Sequence, residues 1–136
     1  MKNVKINLSD NAMITLATHD AIFLSKSENS VVENYGLSND IFINGTNERL
    51  LDNGDNNNII LTGVDCEVII NGEDTKIFSI GYDNTIIVNG VGCVVYISKE
   101  SSANVSAVIG TSIIFGNNET IIDGVKYMPN KFYIFE

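Results

Sequence analysis

Tryptophan is absent from this chain, proline occurs once at Pro129, and histidine occurs once at His19. A lone histidine leaves no His pair for a metal and no base beside a nucleophile. No CxxC, phosphate-binding glycine loop or nucleophile elbow occurs either. Only 8 of the 136 residues are Lys or Arg against 17 Asp or Glu, a formal net charge of −9. Phosphate contacts need a concentrated basic surface, so direct nucleic-acid binding is excluded as an expectation. No uninterrupted apolar stretch is long enough to span a membrane, and the start MKNVKINLSDNAMITL does not read as a signal peptide. A cytoplasmic or virion-associated location is the resulting expectation. No cofactor is called for.

What is abundant is a spacing. Gly36, Gly45, Gly54, Gly63, Gly72, Gly81 and Gly90 recur every nine residues. Counting each repeat from its glycine, the sixth position is always branched aliphatic (Ile41, Leu50, Ile59, Val68, Ile77, Ile86, Val95). The seventh is always large and apolar (Phe42, Leu51, Ile60, Ile69, Phe78, Ile87, Tyr96). The third is a small or Asx turn residue, and the same frame carried upstream meets Asn11, Asp20 and Asn29. Downstream it places Asn104 in the core column, shortens to eight residues over 108–115 and recovers at Gly116. About five extended residues and a four-residue turn give one strand and one reversal, so two repeats close a coil of eighteen and each strand lies over the one two repeats earlier. The expectation is an all-β, single-domain parallel β-solenoid of two nine-residue units per coil. It comprises an N-terminal strand at 1–8, repeats over 9–124, and an aromatic C-terminal cap or assembly strand at 125–136. Asn-Gly pairs such as Asn53-Gly54 and Asn71-Gly72 tolerate positive φ and are also hairpin signals, so an antiparallel meander is the rival reading.

The pattern resembles the repeats-in-toxin nonapeptide β-roll in its period, its turn glycine and the apolar residue that closes each unit, over Ser9 to about Gly124. That resemblance implies calcium held by turn aspartates between coils. This chain carries one glycine per turn where that family has two or three, and the position of the liganding aspartate is mixed. Asp65 and Asp83, two repeats apart on one edge, are the weak metal candidates, against a turn-capping role.

Cys66 and Cys93 share the fourth column three repeats apart, which places them on opposite sheets, too far apart for a disulfide; free buried thiols are expected. Glycosidase-like β-helices need clustered carboxylates, which are not visible, so no enzymatic activity is expected. If the sixth column faces the core, alternation sends the seventh outward. One sheet would then expose Leu24, Phe42, Ile60, Phe78, Tyr96 and Ile114 in a straight stripe, and the other Leu51, Ile69, Ile87, Val105 and Ile122. The alternative is a bend that turns both columns inward, favoured by a mixed eighth column, since a true core column should not admit Asp52. With Phe132, Tyr133 and Phe135 of the tail, the first stripe is the candidate interface for self or another protein, as in a homo-oligomeric phage or bacterial assembly module. Two other readings are an acidic inhibitor or decoy of a nucleic-acid-handling host protein, and a surface adhesin or lectin-like segment that binds carbohydrate or calcium.

Overall fold

A computed structural model of the chain describes residues 8–98, 101–108, 111–115, 120–122, 125–127 and 132–134. Its first strands are β1 (Met13–Leu16), β2 (Ile22–Ser25), β3 (Val31–Asn34), β4 (Asp40–Ile43), β5 (Arg49–Asp52), β6 (Asn58–Leu61) and β7 (Glu67–Ile70). They are followed by β8 (Lys76–Ser79), β9 (Asn84–Val88), β10 (Val94–Ile97), β11 (Ala103–Ala107), β12 (Ser112–Phe115), β13 (Thr120–Ile122), β14 (Val125–Tyr127) and β15 (Phe132–Ile134). Odd-numbered strands β1 to β13 stack into one sheet and even-numbered strands β2 to β12 into the other. Neighbours within each of these stacks are parallel, for example Leu50 beside Val68 and Ile59 beside Ile77. This is the parallel β-solenoid and not the meander.

Between the sheets runs the core. The sixth column supplies Phe23, Val32, Ile41, Leu50, Ile59, Val68, Ile77, Ile86 and Val95, and the eighth adds Ile43, Leu61, Ile70, Val88 and Ile97. The column that the sequence reading would have kept from the core is therefore inside, Asp52 included. The seventh column lies on the outer faces at half exposure.

The turns correct the role assigned to glycine. Positive φ belongs to the third column, from Asn11 (56°) through Asn47 (55°) and Asp74 (52°) to Asp83 (55°), and among glycines to Gly92 at 71°. Asx side chains tolerate the left-handed region, which explains that column. The repeat glycines are there for space. A methyl group on Gly54, Gly72 or Gly90 would fall far inside contact distance of the carbonyl oxygen of Gly36, Gly54 or Gly72, one coil below. Ser38 is the exception in the third column, left-handed at 57° without an Asx side chain. Ser38→Asn should stabilise the fold by about 0.5–1 kcal/mol and raise Tm by about 2–4 °C, read by thermal denaturation. A decrease would mean that the hydrogen bond from Asn56 Nδ2 to Ser38 Oγ (3.2 Å) matters more than the backbone preference.

The fourth column, mixed in type, is uniform in position: Ala21, Ser30, Asn39, Glu48, Asn57, Cys66, Thr75, Asn84 and Cys93 are all buried. Its polar side chains form an axial ladder. Asn39 Oδ1 accepts from the amide of Ala21, Asn57 Oδ1 from that of Asn39, and Asn84 Oδ1 from that of Cys66, each at 2.8 or 2.9 Å. Their Nδ2 groups donate to first-column carbonyls one coil below, at Thr18, Gly36 and Gly63. Turn amides that would be orphaned inside the protein are thereby satisfied.

The register departs where the repeat weakens. Ala103 pairs with Asn84 and Val105 with Ile86, a spacing of nineteen in place of eighteen. The extra residue enters between β10 and β11, before which Ser101 donates its amide to Ser98 O (3.1 Å) and its hydroxyl to Ser79 O (3.1 Å). Consequently Asn104 is exposed and Val105 is buried, the reverse of the expectation, and Ile122 is in register with Val105. The shift is undone by Ser112, which returns to a spacing of eighteen from Val94.

At the C-terminus the direction reverses: β14 runs antiparallel to β13, and β15 antiparallel to β12. Each sheet thus ends on a strand from its own tail. The N-terminal strand expected at 1–8 lies outside the described residues except for Leu8, which packs on the core.

Candidate functional site

Leu24, Phe42, Ile60, Phe78, Tyr96 and Ile114 occupy consecutive registered positions across β2, β4, β6, β8, β10 and β12. Parallel in-register stacking sets them about 4.8 Å apart. The Phe78 and Tyr96 rings are accordingly stacked, with centroids 4.6 Å apart and planes 4° from parallel. Antiparallel pairing then brings Phe132 beside Ile114 and Tyr133 beside Ile113, so Phe132 extends the stripe's register while Tyr133 joins that of the core column. Phe135 lies outside the described residues. A shallow groove of about 250 Å3 runs along Phe78, Ile80, Tyr96 and Ile114 at one end of this face.

The opposite face is different in kind. Its seventh column reads Thr15, Glu33, Leu51, Ile69, Ile87 and Ser106, by register with β1, β3, β5, β7, β9 and β11. Beside it Arg49 Nε and Glu67 Oε1 pair at 2.9 Å in the open, worth well under about 1 kcal/mol. The even-numbered sheet therefore carries the longer apolar stripe.

Among the described residues, interior chemistry is confined to two buried carboxylates and two thiols. Glu48, 1% exposed, accepts from the hydroxyls of Ser25 and Ser27 and from the amide of Gly45 (2.8 Å). Asp52, 0% exposed, accepts at Oδ1 from Asn34 Nδ2 (2.8 Å), Asn57 Nδ2 (2.9 Å) and the Gly54 amide (3.3 Å), while Oδ2 has no hydrogen-bond partner. Burial raises its pKa to about 6, opposed by those three donors and aided by the charge of Asp55. Neither carboxylate was singled out by sequence reasoning as a functional group, because an acid at the fourth or eighth position reads as a turn or surface residue until the coil is closed.

Cys66 and Cys93 are free and buried, as their column spacing implied. Each thiol takes the place of an asparagine in the ladder, Sγ donating to Gly45 O or Gly72 O at 3.5 Å. Desolvation raises both thiol pKa values, which makes them poor nucleophiles. His19 is an exposed turn residue whose Nδ1 accepts from the Leu37 amide at 2.9 Å. Asp65 and Asp83 stand in exposed turns before β7 and β9, and Asp83 Oδ1 accepts from the Ser102 hydroxyl at 3.3 Å. Among the described residues no group of three or more His, Cys, Asp or Glu is placed to hold a metal ion.

Compared with family models, curated proteins and solved structures, the chain matches none of them.

Proposed function

We propose that this protein is a non-enzymatic assembly module that associates with copies of itself through the outward face of the even-numbered sheet. The observation that carries this reading is the unbroken half-buried row from Leu24 to Ile114, in which each successive parallel strand of the sheet contributes a large apolar side chain. Soluble monomers seldom leave such a row uncovered, and an apolar sheet face is a surface that a second sheet can pack on. Support also comes from what the polar groups are occupied with: the buried carboxylates and thiols serve the turns of the coil and lie away from the stripe.

The test is solution mass by light scattering on the wild type and on a triple variant with Phe42→Ser, Phe78→Ser and Tyr96→Ser. Each lost side chain removes about 1–3 kcal/mol of burial, so the triple variant should associate at least about 100-fold more weakly and run as a folded monomer. A wild type that stays monomeric at high concentration would refute self-association through this face.

A further inference from the structure

Over the five strands β2 to β10, with β12 and its Ile114 lying beyond them, the face of the even-numbered sheet has an internal symmetry centred on β6. Along the seventh column the order Leu24, Phe42, Ile60, Phe78, Tyr96 is apolar throughout, with a Phe on each side of Ile60. Along the fifth column the order is Ile22, Asp40, Asn58, Lys76, Val94. Apolar ends flank an acid and a base, each one strand from Asn58. The column is symmetric in polarity and antisymmetric in charge.

From this we infer that the partner is a second copy of this chain, docked face to face and antiparallel in solenoid axis, about a two-fold that passes through Ile60 along the strand direction. This rests on the self-association reading above and specifies its geometry. That operation sets each column against its own counterpart and reverses the order of strands. Asp40 then faces Lys76 of the second copy, and Lys76 faces Asp40, so both rim charges are matched in one step. Phe42 lies against Phe78, and Ile60 against itself. On the ninth column Lys26 faces Ser98 and Asn44 faces Ile80, with no like charges opposed. A two-fold along the solenoid axis sets the fifth column against the ninth instead, leaving Asp40 on Asn44 and Lys76 on Ile80. Charge complementarity therefore selects the antiparallel arrangement.

Magnitude also bears on the choice. Five strands at about 4.8 Å and five residues at about 3.3 Å give a footprint of roughly 400 Å2 per copy, half that of a standard interface. Such a dimer is weak and concentration-dependent, so its two rim ion pairs form a measurable share of its affinity.

Sedimentation of Asp40→Lys and Lys76→Asp, alone, together in one chain, and as an equimolar mixture of the two single variants, tests the arrangement. Each single variant opposes like charges at both rim positions and should raise the dimer Kd by about tenfold or more. Mixing the two single variants should restore association as a heterodimer, because each copy then offers the charge the other lacks, and the double variant should restore the homodimer. A wild-type dimer indifferent to both single changes, or one not rescued by mixing, overturns this geometry and leaves self-association standing. A wild type that is monomeric throughout overturns both.

Discussion

Gly72→Ala should prevent the solenoid from closing. The added methyl group would sit 2.5 Å from the carbonyl carbon of Gly54 and closer still to its oxygen. Both are backbone atoms that cannot rotate away. Relief requires the two coils to separate by a good fraction of their about 4.8 Å spacing, which breaks the parallel ladder on either side. The amides of Asn71 and Gly72 both donate to Asp52 O, at 2.8 and 3.2 Å, and would be lost with it. A loss of more than about 4 kcal/mol is expected, enough to unfold a domain of ordinary stability. Gly92→Asn is the informative companion. Gly92 occupies the left-handed third column, where most other repeats carry an Asx residue, and an added Cβ there meets only the side-chain carboxylate of Asp74 at close range. That side chain is free to move aside, so the change should cost within about 1 kcal/mol. Urea denaturation of the two variants checks both. Equal losses would mean that the glycines are required for backbone conformation after all.

A second large effect is expected at Asp52. Its pKa lies near 6 in the folded protein against 3.8 for a free side chain. The folded state thus holds a proton that the unfolded chain has released between those values. The contribution to stability is fully present below about pH 4 and is lost as pH rises through about 6, the loss amounting to ~3 kcal/mol at neutral pH. Asp52→Asn keeps the shape and the acceptor for Asn34, Asn57 and the Gly54 amide, and it removes the ionisation. Its Nδ2 replaces the unpartnered Oδ2 and costs part of the gain as a buried donor, so a net stabilisation of about 1–2 kcal/mol at pH 7.5 is expected. At about pH 5 the advantage should shrink, because the wild-type carboxyl is then protonated. Denaturation at both pH values distinguishes this from a general effect of net charge, which would persist in the variant. A loss of stability that is the same at both would show that the carboxylate is ionised and accommodated.

These two positions mark the limit of what a linear pattern conveys. The period of nine, the inward sixth column and the pairing of strands two repeats apart were legible because each is a periodicity, and burial of a branched aliphatic at every recurrence enforces it. The free cysteines followed from the same count, since an odd number of repeats puts them on opposite sheets. The outward direction of the seventh column was undecided in the sequence. Asp52 argued against an inward eighth column, and only the closed coil shows a carboxylate held inside by Asn34 and Asn57. Glycine was assigned to φ when it is needed for contact, because the atom it avoids belongs to a residue eighteen positions away. The slip between β10 and β11 was hidden for a similar reason. Inserting one residue in a turn and removing one in the next half-coil preserves the overall count while exchanging Asn104 for Val105 in the core.

By itself, then, the sequence determined the repeat, the strand order and the aliphatic sixth column of the core, since those follow from local propensity and from which side chains water excludes. The tertiary structure decided which polar residues face inward, where the register shifts, and that Asp40, Asn58 and Lys76 form one line beside the apolar stripe. Those are relations between residues on different coils, and they exist only once the chain has been stacked on itself.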